Sequence, residues 1–536
     1  MRPVFLTLAC ALLMGASAPE KPTPNAQPEA TPSKLPSAGA SGRPALKEVA
    51  QDPDSLAFIA AVDWGVLDGV IVQHAGRRKP LEAFARETLW QTLGGQTYHG
   101  QPPAFTVLSL CFDEAWGRAE VLKVGHPGLI QALGVKKASL ETLGSEAFEI
   151  LRQAVKPGEN ASPRDRAVLE LERKATVLSR VATDLRVLPG PQGRWIGMGE
   201  DRAASASPPA FNAFVEMELA YRHRDAGAFQ AAAAAWAAAL REAASADYAA
   251  LEGRIGLERL YHRVQPFRWA CAGYFAAFMA FLVSWGLGRP RPPRWIPVLM
   301  GLAFLLHGAG ITVRVAVAGR PPVSNMYEVI LYVAWAVVAV SYAVTAVMRT
   351  GVPLIPASGL AALGLVMPAV FPFVEHALGQ PMPLDPSIGQ VQAVLKSNYW
   401  LTVHVCTITT SYAILFLGFG AGICHLMALK RPGLIQAETA DRVAYRVNQL
   451  GFLFLTLGVL TGAWWANDSW GRYWGWDSKE TAAFATWCVY AAYLHLRLFG
   501  ILKARGAAWL TVLGFVAILF TMIGVGYFLP GLHSYA

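Results

Sequence analysis

Five tryptophans fall between Trp464 and Trp476, in the run Trp464-Trp465-Ala466-Asn467-Asp468-Ser469-Trp470-Gly471-Arg472-Tyr473-Trp474-Gly475-Trp476-Asp477-Ser478-Lys479-Glu480. Indole is a wide, planar apolar surface that keeps one N–H donor, so a glycine-separated cluster of them builds a platform for a large planar apolar ligand. Tryptophan also gathers at membrane interfaces, but such a belt is spread over many helix ends and asks for no cluster in one segment. Trp465, Trp470, Gly471, Trp474, Trp476 and Asp477 are therefore the candidate binding residues.

A planar ligand that carries a metal also needs imidazoles. His404 stands a few residues inside one end of an apolar run, and His533 stands in the short tail Gly531-Leu532-His533-Ser534-Tyr535. On the topology worked out below, both fall on the side of the tryptophan run. Either alone reads as an ordinary interfacial histidine. The two together, bracketing an indole platform, read as the axial ligands of a haem, since neutral imidazole binds iron and the axial ligand sets its reactivity. His495 differs, because it lies within an apolar helix, roughly 22 Å below the tryptophan side at 1.5 Å per residue. An ionisable group at that depth is a functional candidate by default. His425 and His307 share the apolar half as further candidates for a second ligand there, and each also reads as a packing histidine bonded to a carbonyl.

The elements that must position these residues are apolar helices. Of the 536 residues 54% are apolar and 15% charged, too few charges for an ordinary soluble chain, where about a quarter is usual. Apolar stretches run over 269–287, 295–317, 329–347, 354–371, 400–429, 450–465, 481–498 and 508–529, most of them near the ~20 residues a membrane crossing needs. About eight transmembrane helices follow, the fourth broken or kinked at Pro353, Pro356 and Pro368. The net charge of +9 does not point to nucleic acid, because no basic stripe accompanies stacking aromatics. The six cysteines include no Cys-x-x-Cys pair, which excludes a zinc ribbon or a thioredoxin-like couple.

Ahead of this half the chain is polar. Residues 1–18 have a charged start, a short apolar core around Cys10 and the small-residue site Ala16-Ser17-Ala18, the pattern of a secretory signal. Residues 19–47 are a Pro/Ala-rich linker that cannot bury enough surface to order itself. Residues 48–265 read as a soluble, mostly helical α+β domain, with Phe105 to Leu110 as a β-like run and 211–261 helical, and 266–536 as the membrane domain. With that domain exported, the inner loops hold Arg289, Arg291, Arg294, Arg349, Lys430, Arg431, Arg442, Arg446, Lys503 and Arg505. The outer side holds only Arg314, Arg320, Lys396, Arg472 and Lys479, as the positive-inside rule requires. The expected location is the cell inner (plasma) membrane, with the tryptophan loop periplasmic.

The string Trp470-Gly471-Arg472-Tyr473-Trp474-Gly475-Trp476-Asp477 resembles the tryptophan-rich (WWD) motif of the cytochrome c assembly family of haem-handling membrane proteins, in its CcsA/ResC-type, System II branch. Pro322-Val323-Ser324-Asn325-Met326-Tyr327-Glu328, His404-Val405, Ser411-Tyr412-Ala413, Trp464-Trp465-Ala466, Lys479-Glu480-Thr481, Tyr493-Leu494-His495 and the closing Gly531 to Tyr535 fit the same branch. The resemblance implies haem b as a non-covalently held substrate that crosses the bilayer by way of an intramembrane site. His495 matches one ligand of that site. Haem is then presented outside on the tryptophan loop between His404 and His533 for thioether formation with the Cys-x-x-Cys-His of apocytochrome c. It also implies a CcsB/ResB-type membrane partner, which is not fused here, thiol-reducing proteins, and a role as part of a cytochrome c synthetase (haem lyase). Arg472, Lys479, Arg314 and Arg320 are candidates to pair haem propionates, or to pair acidic neighbours such as Asp468 and Glu480. A CcmC-like protein that hands haem to a periplasmic chaperone is the alternative; a carrier of another substrate is disfavoured by the lack of paired broken helices. The polar half resembles an N-terminal extension of some bacterial members through Gln73 to Leu81, Phe84 to Glu87 and Leu257 to Tyr261.

Overall fold

Good helix formers, capped ends and a paucity of β-branched runs make the described residues mostly helical. A computed structural model describes residues 48–156, 162–289, 292–321, 323–378, 384–389, 399–431 and 435–529. The signal-like start with Cys10, the Pro/Ala-rich linker and His533 lie outside the described residues.

In the polar half, helices Pro208–His223, Ala226–Ala243 and Ser245–Val264 follow one another. Pro208 sits where a helix needs no N–H, and Asp225 caps the second helix by accepting from the Ala228 N–H. The first two pack through Met217, Phe229, Ala233, Trp236 and Leu240, all buried, with Phe214 edge-tilted on Trp236 at 5.4 Å. Further helices, among them Leu81–Leu93 and Pro163–Ser179, and three small antiparallel strand pairs precede them among the described residues: Ile71–His74 with Arg77–Pro80, Leu122–Lys123 with Lys137–Ala138, and Arg186–Leu188 with Ile196–Gly197. The run from Phe105 to Leu110, expected as strand, is instead helix Pro103–Phe112. Its residues from Pro103 to Ser109 are buried on every side, so no polar alternation marked the period, and Pro103 fixes the helical start.

The first hairpin carries a buried ion network. Arg77 donates to both oxygens of Glu258 (2.8 and 2.6 Å) and to Glu87 (3.3 Å), and Lys79, fully buried, pairs with Glu87. The same Arg77 reaches across to the membrane half, its Nε donating to the Ile388 carbonyl at 2.5 Å. Arg314 holds that segment from the other side, through the carbonyls of Pro386 (2.8 Å) and Ser387 (3.2 Å), and Arg320 through Gly389 (3.1 Å). Arg314 and Arg320 share the buried Glu328 (3.1 and 2.8 Å). Residues 384–389 are thus clamped by arginines from both halves.

His74, beside this network and edge-on to Phe84 at 5.1 Å, is pulled down to about 4 by burial and then by the Lys79 charge. A histidine so depressed contributes stability that is present above its unfolded value of about 6.5 and lost as pH falls through about 4. Denaturation midpoints of the wild type therefore fall between those pH values by the equivalent of about 2–3 kcal/mol, and a His74→Leu chain loses that part of the dependence; an unaltered pH profile in the variant contradicts it.

Numbered in chain order, the helices of the apolar half are α1 (Pro266–Gly286), α2 (Trp295–Ala318), α3 (Met326–Met348), α4 (Leu354–Leu378), α5 (Tyr399–Lys430), α6 (Ala437–Trp470), α7 (Ser478–Leu498) and α8 (Ala504–Leu519). Among the described residues seven helical stretches are long and apolar enough to cross a membrane: Ser245–Gly286, which contains α1, then α2 to α6 and Ala504–Gly524. The chain is a polytopic helical membrane protein. Seven is one short of the expected eight because α7 is a helix of full length that falls short in apolar character. Its Ala, Thr and Tyr content, with Lys479, Glu480, His495 and Arg497 near its ends, explains the shortfall. The expected break in α4 is also absent: the helix runs on past Pro356 and Pro368. Pro356 lies in the first turn, where its missing N–H has no acceptor to lose.

Candidate functional site

The tryptophan run is mostly not a loop. α6 continues through Trp470, 34 residues or about 51 Å at 1.5 Å per residue, far longer than the ~30 Å hydrocarbon layer. Its last turns carry Trp464, Trp465 and Trp470. Gly471, left-handed at φ 70°, ends the helix, with its N–H bonded to the Asn467 carbonyl at 2.9 Å. Only the short link from Gly471 to Asp477 is irregular before α7 begins. Asp477 caps α7 by accepting from the Glu480 N–H (2.8 Å), and Glu480 reaches back to the Gly475 (2.7 Å) and Asp477 (3.2 Å) N–H groups. Trp476 is held left-handed at φ 57°, a conformation a bulky residue rarely takes and one that collects at functional sites.

The sequence also brings His404 here. Gly451, Gly458 and Gly462 lie where α6 meets α5, and a side chain at these positions would collide with Leu415, Ile408 and His404 respectively. Small residues at such a crossing let two membrane helices approach closely. The His404 ring consequently lies parallel to Trp465 (6° between planes, centroids 6.1 Å), with Nδ1 2.8 Å from the Gly458 carbonyl. A carbonyl only accepts, so Nδ1 carries the proton of this bond, and Nε2 is the ring nitrogen that would ligate a metal.

Aromatic contacts extend from this pair. Trp465 meets Trp470 edge-on at 4.7 Å, Trp464 stacks on Trp400 at 5.5 Å, and Trp474 meets Trp476 edge-on at 5.6 Å. Trp465 is buried, whereas Trp464, Tyr473 and Trp476 are exposed. Beside Trp465 and Tyr473 lies a cavity of ≈ 200 Å³, lined among others by His404, Trp465, Trp474 and Lys479, whereas Trp464, Trp470 and Trp476 do not line it. Ser324 and Asn325 from the start of α3, Tyr412 from α5, and Thr521 and Met522 from the end of the last span also line it. The last two sit in a π-helical turn, Phe520–Gly524, a local widening of the helix that recurs at functional sites. These five were not singled out as ligand contacts from the sequence, although the Ser324-Asn325 and Tyr412 segments lay in the recognised motifs.

The other candidates part company. His495 is exposed in the last turn of α7, its Nδ1 2.8 Å from the Ala491 carbonyl, at the far end of the helix from Asp477. His425 is buried in α5 with Nδ1 2.8 Å from the Ala437 carbonyl, and Nε2 has no partner among the described residues. His307 is fully buried in α2 against the Tyr274 hydroxyl (3.4 Å) and the ring of Phe267. No group of three or more His, Cys, Asp and Glu gathers around a metal site among the described residues. Arg314 and Arg320 are spent on Glu328 and the 384–389 carbonyls, and the Arg472 guanidinium folds over Gly475.

Residues 323–533 match the family described as cytochrome C assembly protein. A cytochrome c biogenesis protein CcsA of Synechococcus sp. (strain CC9902) is 32% identical over 306 residues, covering 50% of this chain and 97% of that protein. The chain belongs to the cytochrome c assembly protein family. A second CcsA, from Chlamydomonas reinhardtii, is 36% identical over 245 residues, 44% of this chain and 67% of its own length. The relatives of this family named CcsA make the chain a CcsA-type cytochrome c biogenesis protein. Protein NrfI of Wolinella succinogenes is 28% identical over 507 residues, which takes in 87% of this chain, polar half included, and 54% of that larger protein. Every cavity-lining residue, from Val323 to Met522, lies inside the segment matched by the cytochrome c assembly family.

Proposed function

We propose that the chain binds haem, brings it to the extracytoplasmic face and presents it for covalent attachment to apocytochrome c, as one component of a haem lyase. The observation that carries this reading is the imidazole of His404 set parallel to Trp465 on the wall of an apolar cavity. At ≈ 200 Å³ the cavity is smaller than the roughly 300–1,000 Å³ of a pocket that engulfs its ligand. A porphyrin therefore enters by one edge and leaves its remaining face outside the cavity, on the side of exposed Tyr473. Haem b is the substrate, with His404 on one side of the iron and His533, from the tail, on the other. In the attachment step a cysteine S–H adds across a vinyl C=C: the S–H bond breaks, an S–C bond forms, and the proton ends on the other vinyl carbon without net oxidation. Holding the haem edge-on next to the two thiols converts that encounter into a near-intramolecular one.

In this reading residues 1–18 are an export signal, 48–265 an extracytoplasmic domain and 266–536 the haem-handling domain of a protein of the inner (plasma) membrane. α7 completes the bundle as an eighth crossing. Its short link to α8 turns the chain back, and at its far end Arg497 is tied to Asp441 of α6 at 2.8 Å. His495, exposed there, is the half-site of an intramembrane haem whose other ligand comes from a CcsB/ResB-type partner, with thiol-reducing proteins keeping the client cysteines reduced.

The test is the absorption spectrum of the purified chain titrated with haem. A Soret band of histidine-ligated haem is expected. Gly462→Ala provides a sharper arm, because the added methyl would stand 2.7 Å from Cε1 of His404 and must push the ring off the Gly458 carbonyl. Haem affinity then falls about 10- to 100-fold, as when a metal-binding histidine loses its orienting partner, while helical content by circular dichroism is unchanged. Wild-type affinity in Gly462→Ala, or no haem band at all, contradicts the reading.

A further inference from the structure

Among the hydrogen-bond donors on the cavity wall are two side chains, Lys479 and Trp474, that no bond among the described residues engages. Lys479, in the first turn of α7, lines it and makes no hydrogen bond or ion pair among the described residues; the charge acting on it is that of Asp477. Trp474 lines the same space, and its Nε1 is buried with no partner among the described residues. Of the other cations near the family motif, Arg314 and Arg320 are engaged by Glu328, and Arg472 lies over Gly475 and is not part of the cavity wall. The adjacent carboxylate of Glu480 is taken up by the Gly475 and Asp477 N–H groups. An ammonium and an indole N–H on the wall of a mostly apolar cavity are both left in want of an acceptor, and a desolvated cation is favourable only when an anion meets it.

We propose that Lys479 and Trp474 form the carboxylate subsite of this cavity, holding a haem propionate by an ion pair from Nζ and a hydrogen bond from Nε1. This rests on the reading of the cavity as a haem site and adds its orientation. The propionates and the vinyls lie toward opposite edges of the macrocycle. Anchoring the propionate edge at Lys479 turns the vinyl edge toward the mouth, where thiols of a client reach it. Lys479 is thus a positioning residue for thioether formation and a determinant of selectivity for porphyrins that carry free carboxylates.

The experiment compares haem with haem dimethyl ester, in which the propionate charges are removed, on the full chain in mild detergent. Binding is read by the Soret band for wild type, Lys479→Met, Lys479→Arg and Trp474→Phe. Wild type binds haem about tenfold to a hundredfold tighter than the ester, the usual size of a charge-assisted hydrogen bond. Lys479→Met binds haem as weakly as the ester, binds the ester like wild type, and keeps the histidine-ligated spectrum; Lys479→Arg restores the preference, and Trp474→Phe loses part of it. Equal loss for both ligands in Lys479→Met makes the lysine merely structural and overturns the proposal, as does a preference that survives the substitution. A wild type that binds neither porphyrin removes the haem reading itself, and the subsite with it, which separates the two failures.

Discussion

His404→Gly, purified in mild detergent, binds haem at least about tenfold more weakly than the wild type, and its spectrum shifts away from that of histidine-ligated iron. Added imidazole diffuses into the space the side chain vacated and restores the band position and part of the affinity. The expectation follows from how the ring is held. Its Nδ1 proton is fixed on the Gly458 carbonyl at 2.8 Å, its plane is parallel to buried Trp465, and Gly462 leaves it room. A free imidazole regains the iron bond without the protein bond, so rescue restores the spectrum at lower affinity than wild type. The matching variant His533→Gly behaves likewise if the tail supplies the opposite ligand. Unchanged spectra in both variants take these histidines off the iron.

Arg77→Met destabilises the polar half by about 3–5 kcal/mol, the cost of leaving a buried charge without its partner. Glu258 is 1% exposed and receives both of its short bonds from Arg77; its other neighbour, His262, stands 4.0 Å away. With Arg77 gone, the buried carboxylate must protonate or draw in water. Adding Glu258→Gln to Arg77→Met recovers a large part of the loss, because the orphaned charge goes with it. Denaturation midpoints followed by the fluorescence of buried Trp195 and Trp236 measure both changes. Equal midpoints for wild type and Arg77→Met show that the network carries no net stability. The same variant releases Ile388, so accessibility labelling of residues 384–389 rises in step.

Much of the site could be read before any coordinates. Trp465 and Trp474 stood out because five indoles in so short a run exceed what an interface belt needs, and His404 because it lay near the same end of a neighbouring apolar run. Both signals are local in sequence. What stayed hidden depends on tertiary contact. Gly451, Gly458 and Gly462 look like ordinary small residues until α5 is laid against them, and Thr521 and Met522 reach the cavity through a π-turn that no periodicity announces. The tryptophan segment reads as a loop because Asn, Asp, Ser and Gly cluster there, yet packing on α5 carries α6 on to Trp470. The Phe105 segment shows the converse, since burial on all sides erases the alternation that separates strand from helix. α7 was legible as a helix. Its His495 and Arg497 explain why its apolar character falls below that of its neighbours. The clamp on residues 384–389 joins residues more than 300 apart in sequence, Arg77 and Ile388, and no local pattern foreshadows it.

The most direct measurement is a structure of the full chain loaded with haem. The expected result is porphyrin density entering the cavity between α5 and the end of α6, iron within bonding distance of His404 Nε2, and a propionate beside Lys479. Haem density elsewhere, or iron ligated by other residues while His404 still lies against Trp465 in a cavity filled by lipid, contradicts it.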